Sequence, residues 1–224
     1  MPRQSRTSGS TSRGTSTRKD ILAAAVSLAS VEGLESLSIG TLASELGMSK
    51  AGLFAHFGSK EALQVATVEA ARLVFTEEVL VPARGRPPGL PQFQAYIDTY
   101  LSYVQRRVHP GGCFFTAMSI EFDDRRGPVR SQVRAFAIEC RDLLEQTIRE
   151  AQSLDQIHAW VDPAQVVFEA TALVRGTIVS YQLLRDPILI QRARLGIEGL
   201  LERVRVAPPA SELRPAMRRG AERA

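Results

Sequence analysis

The chain reads as all-α: an N-terminal three-helix unit built on a helix-turn-helix, followed by a larger helical domain. Three observations predict this. Apolar residues recur at helical spacing through most of the 224 residues, and no alternating strand pattern competes. Ser38, Ser49, Ser59, Asp162 and Asp186 stand at helix starts, the last two each followed by proline. Residues 38–57 compress two short capped helices around Gly47.

The elements follow in order. Residues 1–16 are rich in Ser, Thr, Gly and Arg and lack periodicity, which predicts a disordered arm. Thr17 and Asp20 resemble a capping box. Ile21, Leu22, Ala25, Leu28 and Ala29 then form one apolar stripe, and Gly33 ends the helix. Ser38 caps a helix carrying Ile39, Leu42, Ala43 and Leu46. Ser49 caps a second, with Leu53, Phe54 and Phe57 on its apolar side and Lys50, Ala51, Gly52, Ala55 and His56 facing out. Ser59 opens a long helix to about Leu80, with Glu61 favourable in its first turn. Residues 82–91, PARGRPPGLP, cannot continue it and predict a loop inside the second domain. A helix over 91–108 has two stripes, one through Phe93, Ile97, Leu101 and Val104, the other through Tyr96, Tyr100 and Tyr103. His109-Pro110-Gly111-Gly112 breaks it. Further helices are expected at 113–122, 128–152, 163–184 and 187–204, and a flexible tail at 206–224. The helix at 163–184 is apolar on nearly all sides, so protein must cover more than one of them.

Composition narrows the function. With 44% hydrophobic and 23% charged residues the chain is ordinary for a globular protein. No apolar run reaches ~18 residues, so no membrane span is expected. Residues 1–16 lack the apolar middle of a signal peptide, and two cysteines make no disulfide scaffold. A cytoplasmic protein, nucleoid-associated when bound to DNA, is the expectation. Residues 1–60 carry seven Lys/Arg against four Asp/Glu. That basic end suits a polyanion. No Gly-rich phosphate loop, nucleophile elbow, CxxC or HExxH is present. His109 and Cys113 have a metal-like spacing, but Pro110, Gly111 and Gly112 prevent the helix it needs. We therefore expect no enzyme, no metal and no cofactor.

The capped pair at 38–57 is the form in which a small domain lays one helix in the DNA major groove. Lys50 can reach guanine O6/N7 or a phosphate, and Ala51 and Gly52 permit close approach. Ser38 and Ser59 can hold phosphates through hydroxyls and helix N-termini. Arg3, Arg6 and Arg13 of the arm suit phosphate or minor-groove contact.

Residues 17–63 resemble the DNA-binding domain of the TetR family of bacterial transcriptional regulators. The likeness lies in Thr17-Arg18-Lys19-Asp20-Ile21-Leu22-Ala23-Ala24-Ala25, Glu32-Gly33-Leu34, Leu46-Gly47-Met48-Ser49-Lys50, and His56-Phe57-Gly58-Ser59-Lys60-Glu61-Ala62-Leu63. It implies that His56 and Lys60 hold phosphates. It also shows two departures: Phe54 stands where the family usually has a phosphate-touching Tyr, and Ala55 where a larger residue is common. Gly40, within the first motif helix, costs about 1 kcal/mol relative to Ala.

The resemblance further implies that residues 64–205 form a ligand-binding and dimerisation domain. Repression is the family's usual mode: a dimer sits on a palindromic double-stranded operator and an unidentified small-molecule effector releases it. Candidate pocket residues are Tyr96, Tyr100, Tyr103, Phe114, Met118, Phe122, Phe168 and Arg175. Arg175, in an apolar helix, needs Glu121, Asp123 or Glu169 as a partner, or an anionic ligand. Ala172, Gly176 and Ser180 form a small-residue stripe suited to a homodimer seam of two helices per subunit. Three competing classes remain: a helical enzyme, an architectural DNA-binding protein with a filled core and no ligand response, and a regulator responding through Cys113 and Cys140.

Overall fold

The computed structural model describes residues 9–207. Its helices are α1 (Gly9–Glu32), α2 (Ile39–Glu45), α3 (Lys50–Phe57), α4 (Lys60–Phe75), α5 (Val81–Arg84), α6 (Leu90–Gln105), α7 (Phe114–Glu121), α8 (Pro128–Ser153), α9 (Pro163–Leu184) and α10 (Ile188–Val204). A π-helical turn, Thr76–Leu80, joins α4 to α5. Among the described residues there is no strand, only an isolated antiparallel bridge between Ile157 and Arg205.

Side-chain oxygens satisfy the backbone donors left over at helix starts. Ser38 Oγ accepts from Thr41 N at 3.1 Å while Thr41 Oγ1 accepts from Ser38 N at 3.0 Å, a reciprocal box. Ser49, Ser59 and Asp162 cap α3, α4 and α9 in the same way, each at 3.0 Å. Asp186 accepts from Ile188 N at 3.0 Å. Gly47 and Gly58 take positive φ, 62° and 73°, where the chain reverses on either side of α3.

Three boundaries differ from expectation. α1 begins at Gly9, so the segment 9–16 is helical and Thr17-Asp20 is no helix start. Once residues 17–32 supply a nucleus, each added residue gains one hydrogen bond for one residue fixed. Arg3, Arg6 and the tail beyond 207 lie outside the described residues. Pro82, Ala83 and Arg84 are helical, so the break is shorter, at 85–89. The wide π turn precedes Pro82 and accommodates its ring and missing N–H. α6 ends at Gln105, three residues before the expected 108.

Two apolar cores share the molecule. One gathers Ile21, Ala25, Leu34, Leu42, Leu53 and Leu63 with Phe114, Met118, Phe122 and Val129. The other is built on Phe93, Leu101, Ile148, Val167, Val174 and Leu201. α4 runs through both, giving Leu63, Val68 and Ala71 to the first and Phe75 to the second. α7 gives Phe114, Met118 and Phe122, an i, i+4, i+8 stripe, to the first. The head and body are thus joined by packed side chains.

Candidate nucleic-acid interface and regulatory cavity

α3 has two distinct sides. Leu53 and Phe57 are buried beneath it. Ala51, Phe54 and Ala55, at i, i+3 and i+4, face out together, with Lys50 at the N-terminal end. Phe54 does not join the apolar underside as expected: it is 53% exposed. An eight-residue helix needs only the Leu53–Phe57 pair to seat it, and Phe54 lies about 100° round from Leu53. The outward face is therefore apolar with a cation at one end.

Lys50 lies across Gly40 of α2. A methyl there would stand 3.4 Å from Lys50 Cε and 3.7 Å from Nζ, an ordinary contact, so the side chain rests against α2 without requiring the glycine. Gly52 sits over its cap, where a methyl would come within 3.1 Å of Ser49 Oγ. His56 is half-buried, and its carbonyl accepts from Arg18 Nη1 at 3.0 Å. The Arg18 guanidinium also lies 4.6 Å over the Phe57 ring, tying α1 to the end of α3. Sequence reasoning missed this tie, since no local pattern pairs positions 38 residues apart. Lys60 Nζ donates to the Glu35 carbonyl at 2.6 Å and approaches its carboxylate at 3.2 Å. Arg125 pairs with the same carboxylate at 3.2 Å. Such exposed pairs are worth at most about 1 kcal/mol, so a phosphate can displace them.

A cavity of about 370 Å³ opens in the body, between the α4–α5 rod, α6, α7, α8 and α9. Tyr96, Tyr100 and Arg175 line it. The other five candidates do not. Tyr103 packs in the core against Phe75 and His109, at ring distances of 5.6 and 5.9 Å. Phe114, Met118 and Phe122 face the head. Phe168 is 68% exposed and lines a separate surface groove with Ala172, Gly176 and Ser180. Helical period explains the misplacement: α7 and α9 each have two apolar sides, and spacing alone does not say which one meets a cavity.

Sequence reasoning also missed Phe75, Phe115 and Phe136 along the cavity wall: Phe75 meets the other two rings edge-to-face at 6.1 and 5.6 Å, and they tilt against each other at 4.4 Å. Burial raises the phenols of Tyr96 and Tyr100 above their ordinary pKa, so both stay neutral. Burial also pushes the Cys140 thiol up to about 12. Arg175 has none of the expected carboxylate partners. Glu169 pairs with Arg203 at 2.7 Å, and the Glu121 carboxylate accepts the backbone N–H of Leu34 at 3.0 Å and of Glu35 at 2.7 Å.

α7 therefore touches both sites. Phe115 and Ser119 line the cavity, while Phe114, Met118 and Phe122 enter the head core and Glu121 holds the loop after α1. Just before α7, Gly111 N donates to Ser30 Oγ at 3.1 Å, and a methyl at Gly111 would overlap the Ser30 carbonyl. α9 and α10 also expose Leu173, which lines the Phe168 groove, and Val179, Leu183, Leu184 and Leu195. A methyl at Gly176 would meet nothing within 4 Å, so the stripe faces outward and not into its own core. Among the described residues no three His, Cys, Asp or Glu converge as a metal site, and no helix is long and apolar enough to cross a membrane.

Comparison with known proteins agrees with this geometry. Residues 21–67 match the family described as bacterial regulatory proteins, tetR family, and residues 89–197 match the tetracyclin repressor-like C-terminal domain. No curated protein matches. Among solved structures, a TetR transcriptional regulator from Chloroflexus aurantiacus J-10-FL is 26% identical, with a TM-score of 0.81 over 87% of this chain and 99% of its own. A TetR-family regulator from Streptomyces coelicolor is 23% identical, with a TM-score of 0.72 over 85% and 96%. AibR, solved with isovaleryl coenzyme A and operator DNA, is 22% identical, with a TM-score of 0.63 over 83% and 96%. With its head and its body both matched, the chain belongs to the TetR family of DNA-binding transcriptional regulators, a family of regulators and not of enzymes.

Proposed function

We propose that the protein is a cytoplasmic repressor that binds a palindromic operator as a homodimer and is released by a small molecule in the body cavity. The observation that carries this is α7: one side lines the cavity and the other is built into the DNA-binding head. A ligand shifts the DNA equilibrium only if it binds the non-binding arrangement better, and α7 gives it a packed route to do so. AibR, a neighbour in fold, was solved with both an acyl-coenzyme A and operator DNA.

On DNA, α3 enters the major groove. Lys50 reads or steers at its N-terminal end, and Ala51 and Phe54 meet thymine methyls. Gly52 allows close approach. Phe54 replaces a phosphate grip with apolar contact. His56, Lys60, Ser38 and Ser59 meet phosphates, Ser59 donating the hydroxyl proton its capping bond leaves available and Ser38 turning its own from Thr41 Oγ1 to the phosphate. One such head buries too little for genomic selectivity, so two are needed, about 34–36 Å apart or a multiple of that. Phe168, Ala172, Gly176 and Ser180 lie at the seam where α9 and α10 of two subunits form four helices.

The open cavity speaks against an architectural protein with a filled body. The half-buried Cys140, whose thiol is pushed up and stays protonated, and the buried Cys113 speak against a thiol-responsive one, because the exposed thiolate is the reactive form. The test is retention of random duplex DNA on the immobilised protein, with and without organic ligands that raise its Tm. The proposal expects retention at low salt and release by cavity ligands. No retention would overturn DNA binding, and ligands that raise Tm without releasing DNA would overturn the regulatory half.

A further inference from the structure

Resting on the reading of the cavity as the effector site, we infer that the effector is an organic anion: one apolar body, acyl or aromatic, ending in a carboxylate or phosphate held by Arg175 and Arg134. The wall is apolar, with Phe75, Val79, Leu80, Ile97, Phe136 and Leu143 in it. Its charged lining residues are Arg134, Arg141 and Arg175, with no Asp or Glu among them. Arg141 is already engaged by Asp142 at 2.7 Å and Glu145 at 3.5 Å. Arg134 on α8 and Arg175 on α9 make no hydrogen bond or ion pair with the described residues. Both are exposed and yet line the cavity, so they stand where it meets solvent.

An unpaired arginine is ordinary on an open surface. Beside an apolar wall it differs, because the low-dielectric side strengthens its pull on an anion. The hydroxyls further in are already engaged. Tyr100 lies 3.1 Å from Cys113 Sγ and 3.2 Å from Thr116 Oγ1, Ser119 donates to the Thr116 carbonyl at 2.9 Å, and Thr171 donates to the Val167 carbonyl at 2.7 Å. A neutral polar ligand therefore finds few open partners, a cation is repelled, and an apolar body with an anionic head matches both parts of the site. A cavity of about 370 Å³ lies at the small end of the range for organic ligands, which favours a short acyl chain or a single ring system.

Calorimetry on the full chain without DNA tests this with octanoate, octyl phosphate and octanol. One of the two anions binds the wild type at least about ten-fold tighter than octanol, as a charge-assisted hydrogen bond requires. The tighter of the two tells a carboxylate head from a phosphate. In the double variant Arg134→Gln, Arg175→Gln that preference disappears while octanol affinity holds, which also reports an intact cavity. Octanol binding as tightly as both anions, an anion preference that survives the double variant, or no binding by all three would overturn the assignment. Because no DNA is present, a failure of ligand-driven release shows only in the retention assay and leaves the ligand class standing.

Discussion

In the proposed DNA complex, individual side chains at the head divide into those that hold and those that read. Lys60 is tied only to Glu35 at the surface, and a phosphate replaces that tie. Lys60→Ala weakens binding to all duplexes by a similar factor and reduces the salt slope by about 1. Lys50 lies beside Gly40 at the start of α3 and in the proposed complex faces the groove. Lys50→Ala changes preference at one base position, by about 1–3 kcal/mol between sequences. Anisotropy titrations over several salt concentrations and duplexes separate the two, and equal effects of both variants on every duplex would refute the division. Glu121 acts on stability and not on DNA directly. Glu121→Ala leaves the N–H groups of Leu34 and Glu35 without their acceptor and costs about 1–3 kcal/mol, read as a lower denaturation midpoint. An unchanged midpoint would mean that water replaces the carboxylate without loss.

Among the elements, α7 and α9 bear most directly on the proposed function. α7 is only eight residues long, yet one side reaches the cavity and the other the head. α9 buries Val166, Val167, Ala170, Val174 and Ile178 in its own body while leaving Phe168 and Leu183 at 68% and 79% exposure. The proposed dimer seam would cover those exposed side chains. Phe168→Glu places a charge in the proposed seam and shifts the dimer toward monomer at least ten-fold in concentration, measured by sedimentation, with helix content by circular dichroism unchanged. A variant that remains as dimeric as the wild type would move the seam away from Phe168. Caps made these elements legible in the sequence: Ser38, Ser49, Ser59 and Asp162 cap where local chemistry placed them, while α10 starts one residue later than expected, with Pro187 at its N-cap and Asp186 accepting from Ile188 N. The start of α1 was not legible, because Ser, Thr and Gly carry little helical preference of their own and extend the helix only from its packed part.

For the whole molecule, local and long-range information separate cleanly. The all-helical class, the helix-turn-helix and the family follow from periodicity and a short motif, since each rests on residues a few positions apart. The cavity does not. Tyr96, Tyr100 and Arg175 meet there, but Phe114, Met118 and Phe122 went to the head and Phe168 to the outer surface, because helix packing decides which apolar side meets which neighbour. The ties of Arg18 to the end of α3 and of Glu121 to the loop after α1 span 38 and 86 or 87 residues, beyond any sequence period. The proposed architecture is two heads on one dimeric body, each head coupled to its cavity through α7. Its central claim is sequence-specific, two-fold recognition of DNA. The measurement that tests it most directly is selection of binding sites from a random duplex pool by the purified, ligand-free protein at a stated salt concentration. Enrichment of an inverted repeat, with half-site centres about one helical turn or a multiple apart, is the predicted result. A folded protein that retains DNA but enriches no sequence, or only a single half-site, would contradict it.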